Sequence, residues 1–238
     1  MATHIIIGTS GIGGALARRL SAQGAGLHLI SRGDTGLAAE LGASHAIADV
    51  QDRAALAAAI LAAGPAIDGL AYCVGTINLK PLMRLTDTDA LQDFEINALG
   101  AFRAVQAALP ALKASTQKTA SVVLFSTVAV QQGFASHASV AMAKGAVEGL
   151  TRSLAAEFAP KIRVNAIAPS LTKTPLAEFL TKNEPTAAAI AALHPLQRLG
   201  EADDVAAIAA FLLGQEAGWI TGQVIGVDGG RSSLRTKG

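Results

Sequence analysis

Short apolar or β-branched runs alternate along the chain with longer Ala- and Leu-rich stretches. The short runs are His4–Ile7, Gly26–Ile30, His45–Ala48, Ile67–Cys73, Ala120–Phe125, Ile162–Ile167 and Gln223–Val227. They are apolar throughout rather than on every second residue, which is the pattern of strands covered on both faces. The longer stretches carry helical spacing. Ala143, Val147, Leu150, Leu154 and Phe158 recur every three or four residues and build one apolar stripe. Pro160 ends that helix before the next strand. Alternating strands and helices predict βαβ units with right-handed crossovers, and so an α/β fold with a doubly wound parallel sheet and helices on both faces. Residues 176–199, which include Pro185 and Pro195, interrupt the late strands and predict a helical lid over the open end of the sheet.

Composition narrows the picture. A chain of 238 residues suits one domain over 1–238. With 19 basic against 18 acidic residues, there is no basic excess to favour nucleic acid. No run approaches the length of a membrane span, and the opening residues MATHIIIGTSGIGG lack the pattern of a signal peptide. One cysteine fits a reducing compartment, so the expected location is cytoplasmic, with no membrane partner. The histidines form no metal-ligand cluster in sequence, and no metal is predicted.

The first candidate chemistry lies where His4–Ile7 runs into Gly8-Thr9-Ser10-Gly11-Ile12-Gly13 and a helix opens at Gly14. A strand, a glycine-rich turn and a helix N-terminus make an anion site, because backbone N–H groups point outward there and the helix dipole favours phosphate. At the first strand–helix junction of an α/β chain this points to a dinucleotide pyrophosphate and a Rossmann-type domain. The second strand run is followed by Ser31-Arg32. An NAD site wants a carboxylate there for the ribose hydroxyl, whereas Arg32 suits a 2′-phosphate. NADP is therefore expected ahead of NAD. Asp49, with Val50 beside it, follows the third strand and is placed against the adenine, or else serves as a helix cap.

From here the chain resembles the short-chain dehydrogenase/reductase family over nearly its whole length. Asn97 in Glu95-Ile-Asn-Ala-Leu-Gly100 resembles the family's helix asparagine. Ser121–Val128 resembles its serine-bearing strand, with Thr127 at the serine position. Ala143-Lys144-Gly145 and the residues that follow resemble its lysine helix. Ile162–Pro169 is similar to its sixth strand, and Ile220-Thr-Gly-Gln223 with Val227-Asp-Gly-Gly230 to its C-terminal signature. The resemblance implies catalytic roles for Asn97, Thr127 and Lys144. It also implies cofactor contacts at Val74, Gly75, Asn97, Lys144, Pro169, Thr172 and Thr174, and a homo-oligomer, dimer or tetramer.

The departures bear on the chemistry. The family's tyrosine, four residues before the lysine, is here Val140, and the only tyrosine, Tyr72, lies in Tyr72-Cys-Val-Gly75 where the family has Asn-Asn-Ala-Gly. Val140 has no proton to give to a developing alkoxide. His137 lies seven residues before Lys144, a spacing at which related enoyl-thioester reductases place a tyrosine, and a histidine can act as an acid near neutral pH. Ser139 is a poor acid unless another group activates it. Two functions follow. One is an NADP-dependent reductase of a carbonyl or enoyl small molecule with His137 as an atypical donor. The other is a non-catalytic NADP-binding sensor or partner subunit.

Overall fold

A computed structural model describes residues 2–236. The first half runs β1 (Thr3–Ile7), α1 (Ile12–Ala22), β2 (Gly26–Ser31), α2 (Leu37–Leu41), β3 (Ser44–Ile47), α3 (Arg53–Leu61), β4 (Gly69–Tyr72) and α4 (Asp87–Phe94). A π-helical turn, Glu95–Leu99, joins α4 to α5 (Gly100–Lys113). Then come β5 (Ala120–Phe125), α6 (Val128–Gln132), α7 (Ala138–Phe158), β6 (Ile162–Pro169) and β7 (Thr172–Lys173). The chain continues through α8 (Glu178–Thr181), α9 (Glu184–Ala191), β8 (Gly200–Glu201), α10 (Ala202–Leu213) and β9 (Val224–Val227).

All seven predicted strands are present in one parallel sheet, in the order β3-β2-β1-β4-β5-β6-β9. Successive residues feed opposite cores. Ile5 and Ile7 of β1 pack on one face with Leu70, Tyr72, Val122 and Leu124, beneath α3, α5 and α7. Ile6 packs on the other with Leu29, Ala71, Val123 and Phe125, beneath α1 and α10. That is why these runs carry no polar alternation: each residue has a hydrophobic side to fill. β4 is shorter than its apolar run. Asp68, buried inside the run, accepts from Thr3 N–H at 2.8 Å and from the Ser115 hydroxyl, and so holds the strand's entry instead of extending it.

The strand order reverses between β1 and β4, and a crevice opens at their C-terminal ends. Residues 174–199 arch beside it. Their base is tied by the pair β7–β8, with Thr172 opposite Gly200 and Lys173 opposite Glu201. Among the described residues no helix is long and apolar enough to cross a membrane.

Candidate active site

The glycine turn follows β1 as its residues require. Helix α1 starts at Gly11 with no side-chain cap and no acidic residue in its first turn, so its N-terminal N–H groups are left to an anion. A Cβ on Gly13 would lie 1.8 Å from the Gly8 carbonyl oxygen. The turn therefore closes only with glycine there, leaving a bare backbone cradle. This cradle fits the pyrophosphate of a dinucleotide. At the end of β2 the Ser31 hydroxyl donates to Gly33 O at 2.7 Å and meets His45 Nε2 at 2.8 Å. Arg32 is exposed. Asp34 turns to Gly36 N–H, and Asp49 to Gln51 N–H at 2.9 Å, while Val50 is buried beside it.

Across the crevice lies a cavity of about 290 Å³. Its wall includes Ile12 from the turn, Val74 and Gly75 from the end of β4, Thr127, His137, Val140 and Lys144, and then Pro169, Thr172 and Thr174. Thus Thr127, His137, Lys144, Val74, Gly75, Pro169, Thr172 and Thr174 share one cavity, whereas Ser31, Arg32, Asp49 and Val50 sit elsewhere, at the ends of β2 and β3. Asn97 stands behind the wall. A Cβ on Gly75 would lie 2.9 Å from Asn97 Oδ1 and 3.1 Å from Lys144 Nζ, so this glycine lets both groups reach the same point.

Lys144 is buried and donates to Phe125 O at 2.8 Å. Burial lowers its pKa to about 8, against opposing attraction from Cys73 and Asp93. Burial pushes the Cys73 thiol up to about 12, which removes it as a nucleophile.

Asp93 and Thr76 complete the polar network. Asp93 is 2% exposed. It accepts from the Thr76 hydroxyl at 2.6 Å through one oxygen and from the Ser139 hydroxyl through the other. Asn97 Nδ2 donates to Thr76 Oγ1 and to Asp93 O, both at 2.7 Å, and Asn97 Oδ1 accepts from Thr76 N–H at 3.3 Å. Linear spacing does not single out Thr76. Asp93 had one signal: four residues before Asn97, it shares that residue's helix face.

Hydrogen bonds sort the cavity's hydroxyls. Thr76 gives its proton to Asp93, and Ser126 gives its own to Glu148 at 2.8 Å. Thr172 donates to Ser170 O at 3.0 Å and Thr174 to Thr172 O at 3.5 Å. His194 Nδ1 faces Ile190 O, which can only accept, so Nε2 takes the Ser170 proton at 2.8 Å. Thr127 differs. Its Oγ1 accepts from Ala129 N–H at 3.3 Å, and among the described residues its own proton is not donated. Thr127 is thus free to donate into the cavity.

His137 is also on the cavity wall, with Nδ1 2.8 Å from Ala135 O. That carbonyl fixes the proton on Nδ1 and leaves Nε2 available. Tyr72 is removed from the chemistry. It is 2% exposed and donates to Ile96 O in the π-helical turn at 2.6 Å. Burial, with Asp49 second, pushes its phenol well above the ordinary range. The next helix starts with glycine because a Cβ on Gly100 would lie 2.0 Å from the Tyr72 oxygen. The turn that presents Asn97 is therefore built on this tyrosine, in keeping with the placement of π turns at functional sites.

Residues 6–232 match a family model described as enoyl-(acyl carrier protein) reductase. A tropinone reductase homolog from Arabidopsis thaliana is 36% identical over 236 residues, 94% of this chain and 89% of that protein. A short-chain type dehydrogenase/reductase from Mycobacterium ulcerans superposes with a TM-score of 0.91 at 28% identity, over 98% of this chain and 90% of that one. A point variant of the actinorhodin polyketide ketoreductase, with NADPH, superposes with a TM-score of 0.90 at 27% identity, over 98% of both chains. The glycine cradle, the paired Asn97 and Lys144 and these matches lead to one conclusion: the chain belongs to the short-chain dehydrogenase/reductase family.

Proposed function

We propose that the protein is an NADP(H)-dependent oxidoreductase of a small carbonyl or enoyl compound, with His137 as proton donor in place of the family's tyrosine. The convergence of Asn97 and Lys144 on Gly75, at the wall of a cavity that also holds an uncommitted hydroxyl, carries this reading. A bound dinucleotide would supply or accept hydride at its nicotinamide ring. Gly8, Ser10, Gly11, Ile12 and Gly13 would hold its pyrophosphate, and Asp49 and Val50 its adenine. Ser31 and Arg32 would meet the ribose phosphate, and the exposed Arg32 with no carboxylate beside it on the strand end favours NADP over NAD. Val74, Gly75, Pro169, Thr172 and Thr174 would frame the nicotinamide, with Lys144 on its ribose. Thr127 would donate to the substrate oxygen. His137, with Nδ1–H held by Ala135 O, would turn Nε2 toward the substrate as the proton-donating position.

The experiment is NADPH oxidation against ketones, aldehydes and enoyl thioesters, with NADPH binding followed by fluorescence in the same samples. Turnover is expected. His137→Phe lowers it at least about tenfold, with NADPH affinity unchanged. An unchanged rate removes His137 from the mechanism.

Val140 favours a second reading, because its side chain has no proton to offer where the family places its tyrosine. In that reading the chain is a non-catalytic NADP(H) sensor or partner subunit. Tight NADPH binding with no turnover, and carbonyl reduction gained in Val140→Tyr, would favour it. Residues 176–199 act as the lid in either case. A cytoplasmic homo-oligomer, dimer or tetramer, belongs to both readings. It is supported by exposed Phe102 on α5 and Met142 on α7, with open space around Gly149, and light scattering tests it.

A further inference from the structure

Among the described residues the cavity is lined by three basic side chains, Lys144, His137 and Arg231, and by no carboxylate. Lys144 is held at the inner end by Phe125 O. Arg231 comes from the tail beyond β9 and lines the same cavity. Its guanidinium carbon lies 4.6 Å from the centre of the Phe134 ring. The same ring meets His137 edge-on, with centroids 5.3 Å apart. Phe134 thus holds both side chains.

The tail at this point is a built structure. Asp228 accepts from the N–H groups of Gly230 and Ser232, both at 2.8 Å, and Arg231 N–H donates to Asp228 O at 3.2 Å. Gln132 reaches across from α6 and donates to Arg231 O at 2.6 Å. The backbone of Arg231 is therefore pinned from two sides while its guanidinium, among the described residues, makes no hydrogen bond or ion pair. Burial lowers its pKa, and only Asp228 opposes this. A half-buried guanidinium with five donors and no acceptor, in a cavity that the described residues line without an acidic group, is arranged for an anion from outside the chain.

We propose that Arg231, seated on Phe134 beside His137, is a carboxylate clamp, and that the substrate is a small oxo or hydroxy acid with an apolar body. This rests on the oxidoreductase reading and names its substrate class. Ile77, Leu79, Leu180 and Ile190 line the same cavity and suit a hydrocarbon body. One guanidinium neutralises one charge and matches a carboxylate's two oxygens. A phosphate monoester, with about two charges, calls for a second fixed cation at the Phe134 ring, where Arg231 is the one guanidinium among the described residues. The cavity also has to admit a nicotinamide ring, which restricts the acid to a small one.

The test is direct binding by calorimetry to the full chain, with and without NADP(H). The probes are acetoacetate, levulinate, 4-oxocyclohexanecarboxylate and benzoylformate, their methyl esters, and crotonyl-coenzyme A as a phosphate-bearing thioester. At least one acid is expected to bind tenfold or more tightly than its ester. Arg231→Met, which keeps the packing on Phe134, erases that preference, and Arg231→Lys retains part of it. Equal affinity for acids and esters, no acid bound, an acid preference that survives Arg231→Met, or a preference for the thioester overturns the clamp. An Arg231-dependent acid preference without NADPH oxidation upholds the clamp and instead overturns the enzymatic reading.

Discussion

The two walls of the cavity are built by opposite rules. On the inner wall Thr76, Asp93, Asn97 and Ser139 are joined in one hydrogen-bonded network, packed among β4, α4, the π turn and α7, and Lys144 is tied separately to Phe125 O. On the outer wall Phe134, Val140 and Leu180 present apolar surface, with His137 and the Arg231 guanidinium set against the Phe134 ring. A buried network holds its geometry because each member left unpaired carries a desolvation penalty. An apolar wall imposes no such condition and tolerates exchange of its residues. The scaffold for the cofactor is thus coupled to folding, while the groups that would choose the substrate and move the proton are not. Changes to the inner wall should alter stability and function together, and changes to the outer wall function alone.

The largest effect expected is at Lys144. Lys144→Met should lower turnover at least about a hundredfold, as the loss of a directed donor in an active site does. It should also raise the melting temperature of the cofactor-free protein. The folded state binds this lysine's proton more weakly than the unfolded chain, so the ammonium opposes folding below pH 8. The penalty is about 3 kcal/mol at most. It is partly offset by the hydrogen bond to Phe125, leaving a rise of about 4–8 °C at pH 7. The advantage should shrink as pH climbs through 8 and disappear near the ordinary lysine range. A lower melting temperature at pH 7 would break the claim that burial of this charge is the dominant cost.

Next is Gly100→Ala, which drives a methyl group against the Tyr72 oxygen and should cost about 3 kcal/mol in urea unfolding. Adding Tyr72→Phe moves the nearest ring atom to 3.0 Å, so the double variant should recover part of the loss. Full additivity would mean that the two residues do not meet. The smallest effect sharpens the contrast. Asp93→Asn should lower stability by about 2 kcal/mol, because Thr76 and Ser139 both lose a charged acceptor. His137→Phe on the outer wall should change stability by less than about 1 kcal/mol. Equal losses from the two would erase the distinction between the walls.

The sheet was legible because each strand is buried on two faces and so is written as an unbroken apolar run. Only the ends moved, as where Asp68 caps the entry to β4. Asn97 and Lys144 were legible from motif spacing. Asp93 was not, because an aspartate in Gln92-Asp93-Phe94 looks like part of a solvated helix face until Thr76 and Ser139 arrive from distant segments. Nor was the part played by Tyr72, since a π turn has no sequence signature and depends on a contact between β4 and Gly100. Arg231 lies beyond the last motif, in a tail whose direction is set by backbone turns at Gly229 and Gly230.

The placement of Tyr72 has an optical consequence. The chain has one tyrosine and one tryptophan, and Trp219 is fully exposed. Indole emission therefore reports on solvent, whereas the phenol band reports on the turn that carries Asn97. In strong alkali the phenolate should form only as that turn opens. Its absorbance then becomes a label-free clock for the release of the asparagine, written into the molecule by a single ring.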